Sequence, residues 1–353
     1  MNSVLWFGRH DPNYSRNRIM AQLLRRLGCA SLQFRPQWSR TGALEAWLRR
    51  LPKPDAVWVG NFRQRDLAAA SRFARRWNIP LIADPLISAW DKLVFEHERY
   101  ADGSAAAERQ RKKEAALLAR CDLVLADTLA HKELFCTRLE VPEDRVFVVH
   151  LGAEQPLFRA QPLAAGTNPP VVLFVASFIR LHGATVLADA VQRYRGPKVI
   201  WDIVGTGPEL APIQAKLSAR SDVRFTAHVP YAELAARYAS ASIVLGIFGN
   251  TPKAGRVIPN KVYQGLAIGR PVITRSTEGV WPSDMDGAEE RGLVFVPPAD
   301  AGALADAVAE LAADQVRRER LGRAAQATTE RWFSTAALQQ ELETAMCSLA
   351  PHK

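Results

Sequence analysis

Short apolar runs alternate with amphipathic segments along most of the chain, and this alternation limits the fold more than any other feature. In the first half the runs are Val4–Phe7, Ser31–Phe34, Ala56–Val59, Pro80–Ala83 and the segment through Leu123-Val124-Leu125-Ala126. Between them lie stretches with helical spacing. Ile19, Leu23, Leu24 and Leu27 follow Ser15, a candidate N-cap, and Gly42–Leu51 and Leu67–Trp77 come next. The second half repeats the scheme with Val171–Ala176, Lys198–Val204, Val223–Ala227, Ile243–Phe248, Pro271–Thr274 and Gly292–Pro298. Strands separated by helices pair in parallel, and strands buried on both faces read as continuous apolar runs. The expected class is α/β. A chain of 353 residues exceeds what one core normally supports, so two doubly wound domains are expected. Gln161–Pro170 (QPLAAGTNPP) has linker composition and places the boundary at 165/166.

Such sheets bind ligands at the carboxyl ends of their strands. The loop after Val4–Phe7 is rich in side-chain donors and lacks the three-glycine dinucleotide fingerprint, which argues against NAD(P). Arg9, Asp11, Tyr14, Arg16 and Asn17 form the candidate acceptor-binding set there, although Asp11-Pro12-Asn13 also reads as a plain turn. Asp84 closes the Pro80–Ala83 strand and is a candidate ligand contact, with an N-cap or turn carboxylate as the alternative.

The most informative stretch is Ile247–Thr274. Turn formers Gly249, Asn250, Thr251 and Pro252 lead to Lys253, Arg256 and Lys261, three cations within nine residues. Pro259 suits a helix start, Val262, Leu266 and Ala267 give an apolar side, and Gly269 ends the helix. Free amides, a helix N-terminus and cations together suit a phosphate dianion. A basic surface loop before a packing helix is the plainer alternative.

The string Gln264-Gly265-Leu266-Ala267-Ile268-Gly269-Arg270-Pro271-Val272 resembles the nucleotide-sugar helix of family 4 glycosyltransferases of the GT-B fold, whose usual form is Glu-Ala-Met-Ala-x-Gly-x-Pro-Val. Gly205-Thr206-Gly207-Pro208, the Leu151-Gly152-Ala153-Glu154 segment and Trp332-Phe333-Ser334 fit the same pattern. The resemblance implies two Rossmann-like domains, 1–165 for the acceptor and 166–333 for the nucleotide sugar, facing a central cleft, with 334–353 crossing back to the first. It implies a donor set of Ser177, Arg180, His182, Gly205, Val229, Lys253, Asn260 and Gln264, and a catalytic set of Asp84, Arg256 and Lys261.

The chain departs from the family at two places. Ser177 and His182 stand where the family has the Arg and Lys that neutralise the diphosphate. Gln264 and Arg256 stand where it has two Glu, so either Arg256 binds phosphate or an acidic sugar, or the chain belongs to a divergent branch; Lys253, Arg256 and Lys261 suggest that the charge missing at Ser177 has moved to this loop. The implied activity is transfer of a sugar from a nucleoside-diphosphate sugar to a saccharide or lipid-linked acceptor, retaining and metal-independent, with no cofactor, in cell-envelope or exopolysaccharide synthesis. Asp284-Met285-Asp286 has metal-motif spacing but falls in a late loop and is taken as coincidence. A catalytically inactive partner subunit and a sugar-nucleotide epimerase are the alternatives.

Charge and cysteine usage bear on location. Residues 1–165 hold 26 Lys and Arg against 18 Asp and Glu, while the remainder holds 20 against 18. No nucleic-acid motif accompanies this excess, so the expected partners are the donor, the acceptor and an anionic membrane surface rather than nucleic acid. The basic stretch Arg99–Lys113 is a candidate membrane- or acceptor-facing segment, with a solvated helix face as the plainer reading. Cys29, Cys121, Cys136 and Cys347 lack ligand-like spacing, and no apolar run approaches a membrane span. The expected location is cytoplasmic, peripheral on the inner face of the plasma membrane.

Overall fold

The structure, a computed structural model, describes residues 1–162, 169–277, 279–282 and 287–349. It divides into two compact units: Met1–Leu151 with the C-terminal segment from Thr335, and Gly152–Ser334.

In the first unit the chain runs β1 (Ser3–Phe7), α1 (Ser15–Arg26), β2 (Ala30–Phe34), α2 (Gly42–Leu48), β3 (Ala56–Val59) and α3 (Leu67–Trp77). It continues through β4 (Leu81–Ala83), the single turn α4 (Ala89–Asp91), α5 (Ala105–Leu118), β5 (Leu123–Ala126), α6 (Leu129–Thr137) and β6 (Val146–Val148). The strands form one parallel sheet in the order β2-β1-β3-β4-β5-β6. β3, β4 and β5 are buried at every residue, which is why they read as unbroken apolar runs. Trp6 and Trp58 meet with ring centroids 5.3 Å apart and are buried to about 1% exposure or less.

The second unit begins with β7 (Val171–Val175), α7 (Ala184–Arg193), β8 (Ile200–Val204), α8 (Leu210–Leu217), β9 (Val223–Thr226), α9 (Tyr231–Ser240) and β10 (Ile243–Leu245). α10 (Asn260–Ile268), β11 (Val272–Arg275), β12 (Leu293–Val296), α11 (Ala301–Ala313) and α12 (Gln315–Thr328) complete it, and α13 (Thr335–Cys347) belongs to the first unit. The second sheet is also parallel, in the order β12-β11-β10-β7-β8-β9.

Several local expectations need adjustment. Ser15 is the first residue of α1 rather than its cap; Tyr14 holds the extended N-cap conformation and caps with no side chain. α8 went unread because its Pro212 and the polar residues around it hide the period. The composition of 161–170 marks a linker, yet its first residues are fastened to the second unit. The Gln161 N–H donates to the Ile268 carbonyl at 3.1 Å. Arg270, with no exposed surface, donates to the carbonyls of Gln161 (2.9 Å), Pro162 (3.0 Å) and Ala239 (2.7 Å). Residues 163–168 lie outside the described residues, as does Asp284-Met285-Asp286.

α13 is held to the first unit by hydrogen bonds as well as packing. Glu341 accepts from the His150 backbone N–H at 2.8 Å and pairs with His150 Nδ1 at 2.7 Å. No helix among the described residues is long and apolar enough to cross a membrane.

Candidate functional site

In each sheet, successive strands run outward in one direction and then resume on the other side of the first strand. The crevice at that reversal is where open α/β sheets take ligands. In the second sheet it lies between β7 and β10. The loops leaving these two strands touch. The Phe248 N–H donates to the His182 carbonyl at 3.1 Å. A Cβ on Gly183, whose φ is +64°, would lie 2.5 Å from the Gly249 nitrogen, so only glycine fits this approach. Gly205, after β8, is constrained likewise: a Cβ there would sit 1.8 Å from the Ala176 carbonyl oxygen.

α10 begins beside these loops. Pro259 occupies its N-cap position without a side-chain cap, so the first amides of the helix are not capped by a side chain. Lys261 in its first turn is 6% exposed, and its amine has no hydrogen-bond partner. Its Nζ lies 4.3 Å from the centroid of the Phe174 ring. Burial pushes the amine down to about 7. His182 is 8% exposed with Nδ1 unpartnered, and burial followed by the nearby Lys261 charge lowers its pKa far below the usual histidine range. His182 therefore joins the donor set as a neutral imidazole, because its burial and the Lys261 charge both disfavour a second cation there.

The other donor-set residues occupy the same strand ends or α10. Ser177 and Arg180 are exposed on the loop after β7, Gly205 follows β8, and Val229 is half-buried after β9. Lys253 is 3% exposed in a tight turn, Lys253–Gly255, that packs on the turn Arg180–His182 through Ala254 and Leu181. Arg256, closing that turn, is half-buried. Asn260 has an unpartnered Oδ1, and Gln264 is 6% exposed one turn beyond. Sequence reading missed Arg275, at the end of β11. Its guanidinium donates to the Gly249 carbonyl at 2.7 Å and the Thr251 carbonyl at 3.4 Å, fixing the turn that precedes the basic loop. Its signal was its place: the last residue of a strand beside the reversal.

In the first sheet the reversal lies between β1 and β3. His10, Asn17 and Asn61 gather around Gly60. A Cβ on Gly60 would be 2.9 Å from Asn17 Oδ1 and 3.5 Å from His10 Cβ. All three side chains are at most 3% exposed, yet His10 Nδ1, Asn17 Oδ1 and both amide atoms of Asn61 have no partner. Buried polar atoms without protein partners are rare in native interiors, so this cluster at the reversal is a candidate polar site. Phe62, in the left-handed conformation, stands edge-on to Tyr14 at 5.1 Å, with the Lys92 amine 5.6 Å from its ring centre. Burial and the Asp127 charge push the Tyr14 hydroxyl up to about 12. Sequence reading missed His10, Asn61 and Phe62; Gly60 at the end of β3 was the available signal.

Two assignments are corrected here. Arg16 and Asp84 have no exposed side-chain surface. The Arg16 guanidinium grips the Asp84 carboxylate at 3.0 and 3.1 Å and donates to the Val149 and His150 carbonyls. Burial pushes the Asp84 carboxyl up, and Arg16 opposes that shift. As placed here the two groups engage each other rather than a ligand, which favours a scaffold role over the expected acceptor role of Arg16 and catalytic role of Asp84. Together they tie β4 to α1 and to the end of β6. Arg9 and Asp11 are exposed, and Asp11 Oδ1 accepts from the Asn13 N–H at 2.9 Å, which is the plain turn. Asn17 donates to the Asp11 carbonyl at 2.6 Å.

Comparison with known proteins matches part of the chain to a family and nearly all of it to solved folds. Residues 169–314 match the family described as glycosyl transferases group 1. No match was found among curated protein sequences. Solved structures match over nearly the whole chain. The HepE protein of Anabaena in complex with UDP is 17% identical, covering 99% of this chain and 100% of its own at a TM-score of 0.71. A sucrose-phosphate synthase from Thermosynechococcus elongatus is 16% identical, covering 98% of each chain at 0.75. The lipopolysaccharide outer core galactosyltransferase WaaB is 14% identical, covering 98% and 99% at 0.69. Two parallel six-stranded sheets and the match to these solved structures give the chain the GT-B fold, and its second unit matches the group 1 glycosyltransferase family over residues 169–314.

Proposed function

We propose that the chain transfers a sugar from a nucleoside-diphosphate sugar to a saccharide or lipid-linked acceptor, with retention, without a metal, on the inner face of the membrane in envelope or exopolysaccharide synthesis. The observation that carries the donor half is Lys261: a buried amine without a partner, in the first turn of a helix, beside the two touching loops of the sheet reversal. A diphosphate supplies the missing acceptors and restores the charge that burial disfavours. UDP is the favoured carrier, since the Anabaena protein is solved in complex with UDP and with UDP and glucose.

In the step proposed, the acceptor oxygen bonds to the anomeric carbon on the face the diphosphate leaves. The carbon–phosphate oxygen bond breaks, and the acceptor proton passes to the leaving diphosphate. Lys261 and the amides of α10 then stabilise the charge that develops on the leaving group. The engagement of Asp84 by Arg16 supports a route needing no carboxylate base from that strand end.

A thermal-shift panel of UDP, GDP, dTDP and NAD tests the reading. One nucleoside diphosphate at a hundredfold over its Kd is expected to raise Tm by about 5–10 °C, and NAD to leave it unchanged. A flat response to all four overturns the donor site. Stabilisation without slow hydrolysis of the matching sugar nucleotide points instead to the inactive partner subunit, for which the loss of both Glu at Arg256 and Gln264 speaks.

A further inference from the structure

Seven large apolar side chains are exposed among the described residues, and four of them fall in one eleven-residue stretch: Trp38 (68%), Leu44 (56%), Trp47 (53%) and Leu48 (65%). Leu44, Trp47 and Leu48 stand at i, i+3 and i+4 on α2, so they share one face, while Ala46 on the opposite face is fully buried. Exposing this face costs the folded chain without any return in its own core, and its clustering sets it apart from scattered surface leucines.

The charge around it has one sign. From Arg35 to Lys53 the chain carries Arg35, Arg40, Arg49, Arg50 and Lys53 against Glu45 alone, and all five cations are exposed. Glu45 is already engaged, pairing with Arg49 at 2.7 Å and accepting from the Gln37 N–H at 2.6 Å. Two grooves share residues with the stretch, one lined by Trp47, Arg50 and Arg76 and one by Trp38, Arg40 and Lys113.

We propose that this face is the membrane-docking surface of the protein, with α2 lying in the plane of an anionic bilayer. Trp side chains favour the headgroup level, leucines enter the acyl boundary, and surrounding arginines meet anionic headgroups. A second copy of the chain is disfavoured as the occupant, because a two-fold contact through this patch sets the same five cations against each other. The inference centres the membrane-facing surface on α2 rather than on Arg99–Lys113, of which only Lys113 reaches it. Most of that stretch is the start of α5, capped by Ser104, with Arg111 paired to Glu108 and Glu140.

The test uses the full chain sedimented with vesicles of phosphatidylcholine alone, or of phosphatidylcholine with about one-third phosphatidylglycerol, at ~0.15 M salt. The wild type is expected to bind the anionic vesicles at least about tenfold more than the neutral ones, and to release at high salt. Trp47→Ala/Leu48→Ala and Arg49→Gln/Arg50→Gln are each expected to lose about tenfold or more of that binding. All four positions are exposed, and unchanged Tm values confirm folding in the variants. Wild type left in the supernatant, or variants that sediment as well as wild type, overturns the proposal. So does a concentration-dependent dimer that the Trp47→Ala/Leu48→Ala change abolishes. The proposal rests on the inner-face placement above, but sedimentation reads no sugar transfer. Failed docking with intact donor binding overturns only the surface, and a flat nucleotide panel with intact docking overturns only the donor site.

Discussion

Lys261→Met is expected to weaken nucleoside-diphosphate binding by about 10- to 150-fold, the value of one charge-assisted hydrogen bond, while leaving the unliganded protein as stable as wild type or more so. The two effects separate because the amine is a cost until a ligand arrives. It is 6% exposed, has no hydrogen-bond partner, and gains only the Phe174 ring face at 4.3 Å. Methionine keeps the volume and removes the desolvation penalty. The sign with pH follows from the shift to about 7, below the ordinary lysine value of 10.5. Between those values the unfolded chain holds the proton and the folded chain has released it, so stability rises with pH across that window. The penalty is present in full below about 7, where the buried amine is charged in the folded protein. A bound diphosphate draws the proton back. Binding therefore takes up a proton above about pH 7, and affinity falls with pH there by at most about tenfold per unit. Calorimetry in buffers of different ionisation enthalpy reads the uptake directly. Equal affinity in wild type and Lys261→Met, with the same proton count, would remove Lys261 from the donor site.

The architecture was legible in the sequence because parallel strands leave an unambiguous trace. Val171–Val175 and Ile243–Leu245 are buried on both faces, so no polar residue interrupts them, and their flanking helices keep their own period. The donor loop was legible for a related reason: Gly183, Gly249 and Pro259 are there for backbone geometry, and such residues stand out without side-chain information. What sequence could not show was the state of the charged groups. Lys253, Arg256 and Lys261 look alike as letters, yet two are buried and one half-buried, and only the fold decides which. His182 reads as a titratable donor until its distance from bulk water and from Lys261 is known. Asn61 offered only its position after Gly60, and its unpartnered amide becomes visible when His10 and Asn17 are brought beside it. The exposed face of α2 was hidden for the opposite reason: an apolar face at helical spacing is ordinarily core, and nothing in the spacing says that this one lacks a partner.

Arg16 and Asp84 illustrate the same limit and give the largest expected effect on stability. As sequence, each is a polar residue near a strand's carboxyl end, which is where substrate contacts belong. As structure, they are one buried ion pair, both side chains without exposed surface. Arg16→Met leaves a carboxylate alone in the interior and is expected to cost about 3–5 kcal/mol in urea unfolding of the first unit. Asp84→Leu alone strands the guanidinium and is expected to cost a similar amount. Replacing both with apolar groups removes both desolvation penalties, so the double variant Arg16→Met/Asp84→Leu is expected to be more stable than either single one. What it does not restore is the pair of hydrogen bonds from Arg16 to the Val149 and His150 carbonyls, so full recovery to wild type is not expected. The milder Asp84→Asn separates scaffold from chemistry. It keeps shape and one acceptor but loses the charge partner, so a scaffold carboxylate predicts a large loss of stability with kcat per folded molecule close to wild type. A catalytic carboxylate predicts the reverse, with stability within about 0.5 kcal/mol of wild type and kcat down by 100-fold or more. The second pattern would return Asp84 to the sugar and require Arg16 to release it during the reaction.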